Sequence, residues 1–246
     1  MHQPTLSNRH QQGVALFIVI VFVMLSMLLA LWASRTSIFN EMVIGNDADY
    51  QRTLEAAQAL MQDAEYDIQG VKANGLHFCD PSGGTSDTCR PDGSTVQFPL
   101  EDKDVGDLID TLTAATTTAN CWKGICLKRV GSQDFWNDKM TLTAMQTANA
   151  GARYGQFTGG QVGSYSNPIL SKQDPTKPLE GGWYWVEIMN YEKNAGNSGL
   201  ITNGSQSLAL TPKPSVAYRI TAIAYGLKPS TRVVLQSTFV RQHLKN

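Results

Sequence analysis

The chain has 246 residues, and its 20 lysines and arginines almost balance its 21 aspartates and glutamates, which leaves a net charge of −1. Charged residues make up only 17% of the chain, and no basic stripe is present that would neutralise nucleic-acid phosphates, so the composition argues against nucleic-acid binding. The length allows one globular domain beyond a membrane helix, and this domain can bury a core of its own.

The first predicted element is an apolar helix from Val14 to Ala33, which contains no charge and a single hydroxyl residue, Ser26. At about 1.5 Å per residue this run reaches about 30 Å, the thickness of the hydrocarbon core of a bilayer. A soluble helix would keep one polar face, and this run has none. The pattern therefore predicts a transmembrane helix.

Helix-forming sequence without proline continues from this run to Gln69, and Gly70 provides an end signal. Apolar side chains recur at alternating spacings of three and four residues, which places them on one helical stripe: Tyr50, Leu54, Ala57, Met61, Ala64 and Ile68. Polar residues, Asp63 among them, lie mostly off this stripe. We therefore predict a single helix from about Val14 to Gln69, apolar all round in its first half and amphipathic in its second.

The residues before the apolar run, Met1 to Gly13, form a polar leader that contains Arg9 and no acidic residue. A cleaved secretory signal has a shorter apolar stretch and a small-residue cleavage site, whereas Leu31-Trp32-Ala33 would be a poor site. The basic leader favours a cytoplasmic N-terminus with the rest of the chain exported, an inference that Arg35 on the far side weakens without reversing.

Beyond residue 70, turn residues and short periodic segments alternate. Short helices are predicted over Glu101–Leu112 and Ser132–Asn149, and surface loops over Gly151–Gly182. Three strands rich in aromatic and β-branched residues follow, at Trp183–Tyr191, Ala217–Gly226 and Thr231–Gln242, with a hairpin connection between the last two. The pattern indicates an α+β fold in which an antiparallel sheet lies over the apolar stripe of the N-terminal helix.

The four cysteines, Cys79, Cys89, Cys121 and Cys126, form an even set, which favours disulfides in an exported domain. Three connectivities are open, and pairing Cys79 with Cys89 and Cys121 with Cys126 closes the two shortest loops. A zinc site is the competing interpretation, but the gap between Cys79 and Cys89 exceeds the common ligand spacing.

Motifs of catalytic centres are missing from the sequence, which has no HExxH, no GxSxG and no P-loop. Asp80, Asp87 and Asp92 lie in a loop rich in glycine and serine, but their spacing fits no EF-hand, so a solvated loop is favoured over a calcium site. We predict a protein that is not an enzyme and that uses no cofactor and no metal.

The N-terminal region resembles the class III prepilin signals of type IV pilins, in which a short leader ending in glycine precedes a long apolar helix. Its similarity to PilX-type minor pilins is closer and rests on three segments: residues 11–16 (QQGVAL), 40–46 (NEMVIGN) and 54–59 (LEAAQA). The resemblance implies cleavage between Gly13 and Val14 by a prepilin peptidase and N-methylation of Val14. It also implies a leader (1–13), a transmembrane or pilus-core half-helix (14–34), an amphipathic half-helix (35–70) and a globular pilin domain (71–246).

One departure from major pilins concerns the fifth residue of the mature chain, which is glutamate in those proteins and Ile18 here. In the family this glutamate is thought to pair with the terminal amine of the subunit ahead, and a carboxylate in lipid is costly without a partner. A subunit without it needs no neighbour ahead, which suits the fibre tip. The alternative stays open that hydrophobic packing alone suffices for assembly and that the residue at this position does not indicate where the subunit lies in the fibre.

The resemblance thus implies a minor pilin that helps initiate type IV pilus assembly and sits at or near the fibre tip. The implied partners are other minor pilins, the major pilin, a tip adhesin, the prepilin peptidase and the inner-membrane assembly platform. The chain would cross the inner membrane once before assembly and lie in the extracellular pilus afterwards. Two alternatives remain: the tip pseudopilin of type II secretion, and a membrane-anchored periplasmic binding module.

Overall fold

The computed structural model describes residues 12–76, 78, 90, 96–114, 120–160, 167–190 and 215–241. The chain divides into two compact units, Met1–Ala48 and Asp49–Asn246. Helix α1 spans Gln12–Gln69. The prediction of one long N-terminal helix is confirmed, and the helix begins at Gln12 rather than at Val14.

The described part of the first unit consists of the N-terminal portion of α1, whose apolar side chains are exposed on every side of the helix. This helix is long and apolar enough to cross a membrane by length and composition. The Ser26 hydroxyl donates a hydrogen bond of 2.9 Å to the Val23 carbonyl, and the Thr36 hydroxyl donates one of 3.0 Å to the Trp32 carbonyl. Because these hydroxyls bond to the helix backbone, they need no water.

The second unit contains a five-stranded sheet with the strand order β1-β2-β3-β4-β5. Its strands are β1 (Cys121–Trp122), β2 (Ile125–Leu127), β3 (Gly182–Asn190), β4 (Val216–Tyr225) and β5 (Arg232–Phe239). Neighbouring strands are antiparallel except β2 and β3, which are parallel. The predicted α+β class and the three long strands are confirmed, whereas β1, β2 and the parallel pairing were not predicted.

The predicted hairpin between the last two strands is present, closed by a 2.8 Å hydrogen bond from the Gly226 amide to the Thr231 carbonyl. Helix α2 (Asp104–Ala114) occupies the position of the first predicted short helix. The second is divided into a 3-10 helix (Phe135–Asn137) and helix α3 (Lys139–Met145). The division falls at Asp138, because its extended backbone interrupts the helix while its carboxylate accepts a hydrogen bond from the Thr141 amide.

One face of the sheet packs against residues 49–69 of α1 and forms the main core. Buried α1 residues and inward-facing strand residues meet there: Ala56, Ala57, Leu60, Ala64 and Ile68 with Tyr184, Val186, Tyr218, Ile220 and Ala222. Gly182 lies where strand and helix come closest, since a Cβ added there would be 2.2 Å from Leu60 Cδ1. The absence of a side chain at Gly182 therefore permits this packing distance.

The opposite face of the sheet carries a second apolar cluster, in which Trp183, Trp185, Ile223 and Tyr225 pack with Phe135, Leu142 and Met145. The prediction of surface loops over Gly151–Gly182 is wrong for several residues of its described part. Ala152 is fully buried and exchanges two backbone hydrogen bonds with Tyr184, and Ile169 and Leu170 are buried as well. Ala152 and the pair Ile169-Leu170 are separated by long stretches of glycines and polar residues, so no periodicity marks them.

Candidate functional site

The predicted processing site lies in the first turn of α1, where Gly13 and Val14 follow the first helical residue, Gln12. Ile18, one turn further, is 47% exposed. Within the first unit the side chains of Val14 and Ile18 are therefore available for contact with lipid or with a neighbouring helix. Cleavage, methylation and the role of Ile18 stay predictions.

The buried face of α1 in the second unit overlaps the predicted stripe and extends one residue before it. Its residues are Asp49, Thr53, Ala56, Ala57, Leu60, Asp63, Ala64, Asp67 and Ile68, so Ala57, Ala64 and Ile68 of the stripe are buried as predicted, whereas Tyr50 is exposed. The placement of Asp63 off the buried face is therefore wrong. Apolar periodicity misses the three aspartates of this face because a pattern of hydrophobic residues gives them no weight.

Asp67 is the most extensively bonded of these aspartates. Its carboxylate accepts hydrogen bonds from Arg90 Nε at 2.9 Å, from Arg90 Nη2 at 2.7 Å and from the Tyr184 hydroxyl at 2.9 Å. The Arg90 guanidinium also lies over two aromatic rings, 3.9 Å from the centroid of Phe157 and 5.1 Å from that of Phe98. Burial raises the pKa of Tyr184 well above its ordinary value, so the phenol keeps its proton and acts as a donor.

Asp63, one helical turn before Asp67, binds the loop after Gly151. Its carboxylate accepts a 2.8 Å hydrogen bond from the Gly155 amide and another from the Thr158 hydroxyl. Burial raises the pKa of Asp63 to about 6, because the desolvation of its charge outweighs the two hydrogen bonds that lower the pKa, and the nearby Asp67 raises it further.

Asp49 binds the turn of the β4–β5 hairpin, accepting backbone hydrogen bonds from Leu227 at 3.0 Å and Lys228 at 3.2 Å. Burial acts to raise the pKa of Asp49, but hydrogen bonds from Thr231 and the two amides, together with the Lys228 charge, lower it overall. The three aspartates thus bind a loop, a strand and a hairpin to one helix face. This arrangement positions the globular domain on α1 and leaves these carboxylates engaged as hydrogen-bond acceptors.

Metal and cofactor sites were not predicted. Among the described residues, no group of three or more histidine, cysteine, aspartate or glutamate side chains is placed to hold a metal ion. Cys79, Cys89 and the loop aspartates Asp80, Asp87 and Asp92 lie outside the described residues.

The cysteine-bracketed segment forms a tight hairpin whose ends are joined by a disulfide between Cys121 and Cys126. Its two turn residues, Lys123 and Gly124, have φ values of 47° and 86°, typical of the two-residue turns that connect twisted antiparallel strands. The dipeptide Lys-Gly between apolar residues was a signal for this hairpin that periodicity did not use.

Beside this disulfide lies a cavity of about 440 Å³, which we call the disulfide cleft. Its lining comes from β1, β2, the loop after β2, α3 and the outer face of β3 and β4, and it includes Cys121, Cys126, Leu127, Arg129, Val130, Phe135, Met140, Met145, Trp185 and Glu187. Glu187 accepts hydrogen bonds from the Arg129 amide at 2.8 Å and from Arg219 Nε at 2.6 Å. No sequence motif marked this cleft, because its residues come from separate segments.

Comparison with protein families gives one match: residues 105–241 match the family described as type IV pilus assembly protein PilX, C-terminal region. The matched segment extends from α2 through β5 and includes the disulfide cleft. No curated protein and no solved structure matches the chain.

Proposed function

Because the chain belongs to the PilX family of type IV pilus assembly proteins, over more than half of its length, we propose that it is a minor pilin that helps initiate pilus assembly and lies at or near the fibre tip. The observation that carries the proposal is the combination of this family domain with α1, whose large apolar residues are exposed from Val14 to Ile44. Such a helix can exchange lipid contacts for contacts with neighbouring pilin helices at nearly constant apolar burial.

In this proposal the chain is organised in four segments. Residues 1–13 are a leader removed by the prepilin peptidase, 14–34 cross the inner membrane and later enter the pilus core, 35–70 are the amphipathic half-helix, and 71–246 are the globular domain. The N-terminus faces the cytoplasm before assembly. The partners are other minor pilins, the major pilin, a tip adhesin and the inner-membrane assembly platform.

A position at the tip is supported by Ile18. A glutamate at this position would need the terminal amine of a subunit ahead as its partner, because an unpaired carboxylate is costly in an apolar environment. An isoleucine has no such need, while the free amine of Val14 remains able to accept the glutamate of the next subunit to enter. The chain is thus suited to begin a fibre.

A structural rather than catalytic role is supported by the state of the buried carboxylates. Asp49, Asp63 and Asp67 each accept at least two hydrogen bonds from within the domain. They stabilise the docking of loops and strands on α1. The family match favours this role over the type II secretion pseudopilin and over a tethered binding module, because its description names type IV pilus assembly.

The test is to label the protein, shear the fibres from cells and locate the label, with mass spectrometry to identify the chain. Wild-type label should lie at fibre ends. Ile18→Glu should not improve initiation and should let label enter the shaft, where the new carboxylate finds an amine ahead. Ile20→Glu is the matched control, because Ile20 and Ile18 are both 47% exposed on the same helix. Wild-type label along the whole shaft, or absence of the protein from the fibres, would contradict the proposal.

A further inference from the structure

We propose that the disulfide cleft is a docking site for an apolar side chain, flanked in sequence by a carboxylate, that belongs to a different subunit of the fibre tip. The inference rests on the proposed function, since it takes the partner to be another pilus subunit. It adds the surface that contacts this partner and the chemistry that the partner must present.

The floor of the cleft fits an apolar side chain. The indole of Trp185, the thioether of Met145 and the disulfide line it, and the cavity of about 440 Å³ lies within the range of roughly 300–1,000 Å³ that is typical of binding pockets. The flexible, polarizable side chain of methionine adapts to apolar groups of differing shape. The cleft can therefore accept a side chain without rearrangement of the sheet.

The rim of the cleft indicates a protein segment rather than a small ligand. Val130 on one side is 98% exposed and Met140 on the other is 84% exposed, the highest values for large apolar side chains among the described residues. A small molecule inside the cleft would leave both in water. A polypeptide segment laid across the cleft would cover them, and the burial of this apolar surface would favour binding.

The charges around the cleft indicate a partner carboxylate. Both oxygens of Glu187 accept hydrogen bonds, from the Arg129 amide and from Arg219, and the Arg219 guanidinium already pairs the negative charge of Glu187. The Arg129 guanidinium lies 5.1 Å from the centroid of Phe135, and no described carboxylate forms an ion pair with it. The Arg129 guanidinium therefore lies at the edge of an apolar cavity, where it can form an ion pair with an acidic residue of the partner.

The neighbouring acids do not supply this carboxylate. Asp134 accepts hydrogen bonds from Ser132 and Asn137, and Asp138 accepts from Thr141 at the start of α3. These bonds lower the pKa of both aspartates and keep them directed at their own loop. Within the described part of the chain, Arg129 therefore has no carboxylate partner.

The experiment places a photoreactive benzoyl-phenylalanine at Met140 or Val130 of the full-length protein in cells that assemble pili. Illuminated fibres are sheared, and the crosslinked peptides are identified by mass spectrometry. Leu179 is the matched control, because it is an apolar residue of the same domain that is 61% exposed and does not line the cleft. We expect Met140 and Val130 to crosslink to an apolar residue of another pilus subunit, within a few positions of an aspartate or glutamate, and Leu179 not to reach that peptide.

Exchanging the charges of Arg129 and the partner's acidic residue then tests whether the two form an ion pair. Arg129→Glu should reduce the crosslink from Met140 about tenfold, Arg129→Lys should retain most of it, and replacing the partner acid by lysine should restore the crosslink of Arg129→Glu. The proposal is overturned by a crosslink to a second copy of this chain, by equal crosslinking of that peptide from Leu179, or by insensitivity to Arg129→Glu. If the chain is present in fibres at wild-type abundance but the cleft positions crosslink to nothing, this proposal alone fails; absence of the chain from fibres refutes the proposed function as well.

Discussion

The Tyr184 hydroxyl donates a 2.9 Å hydrogen bond to the Asp67 carboxylate and so joins the fully buried interior of β3 to the buried face of α1. The same carboxylate binds the Arg90 guanidinium through two further hydrogen bonds. A buried charge is stable only when it is paired and hydrogen-bonded, and Asp67 has both kinds of partner. A polar cluster at the C-terminal end of α1 thus adds to the apolar contact between this helix and the sheet.

Removal of the Asp67 carboxylate should destabilise the domain strongly. Asp67→Ala leaves the Arg90 guanidinium buried without its counter-charge, and we expect the free energy of unfolding to fall by about 3–5 kcal/mol. Tyr184→Phe removes one hydrogen bond and leaves Arg90 paired, so its effect should be about 1–2 kcal/mol. Urea denaturation of the full-length protein in detergent measures both, with exposed Glu55→Ala as the control, expected within about 0.5 kcal/mol of wild type. An Asp67→Ala effect no larger than that of Glu55→Ala would contradict this account.

Asp63 should give stability a distinctive pH dependence. Its pKa is about 6 in the folded protein against an ordinary value of 3.8, so the folded state holds the proton more tightly. Its contribution to the free energy of unfolding is therefore fully present below about pH 3.8 and is lost as the pH rises through about 6. At about 1.4 kcal/mol per pH unit, this loss amounts to about 3 kcal/mol.

The test of this pH dependence is Asp63→Asn, whose amide cannot ionise and can still bond Gly155 and Thr158. The difference in unfolding free energy between Asp63→Asn and wild type should move in favour of the variant by about 3 kcal/mol between pH 3 and pH 7, then stay constant. Glu55→Gln on the exposed face should show no comparable trend. A difference that stays constant across this range would show that Asp63 titrates normally.

The Cys121–Cys126 disulfide should stabilise the domain by a small amount, because it closes a short loop. Replacing both cysteines by alanine should lower the free energy of unfolding by about 2 kcal/mol, mainly through greater freedom of the unfolded chain. Thiol labelling of the denatured, unreduced wild type should find no reactive cysteine, Cys79 and Cys89 included. Detection of two reactive thiols would indicate that Cys79 and Cys89 are not paired. Detection of stoichiometric zinc would indicate a metal site in place of their predicted disulfide.

Processing should occur between Gly13 and Val14. Intact-mass analysis and N-terminal sequencing of the mature protein should find Val14 first, carrying one added methyl group. Gly13→Leu should block cleavage because a bulky residue replaces the glycine that precedes the cut, whereas Gly13→Ala should be tolerated. A mature protein that starts at Met1, or beyond Ala33, would refute the prediction.

The sequence predicted secondary structure correctly where neighbouring residues share the same preference for a helix or a strand and the same type of burial. The apolar run from Val14 and the aromatic and β-branched residues after Trp183 form regular patterns within single elements. Each helix or strand could therefore be predicted from its own residues alone. Prediction failed at Asp63 because an aspartate on a helix is ordinarily solvated. Only the loop carrying Gly155 and Thr158, more than 90 residues away in sequence, makes its burial possible.

The sequence by itself determined the long helix, its change from apolar to amphipathic, the three long strands and the resemblance to pilins, because these depend on neighbours in the chain. Tertiary structure alone decided the burial of Asp49, Asp63 and Asp67 on α1, the parallel pairing of β2 with β3, and the disulfide cleft. Each of these depends on contacts between residues far apart in sequence. Hydrogen bonds to a buried carboxylate, and an apolar cavity between separate segments, leave no periodic trace in the residues that form them.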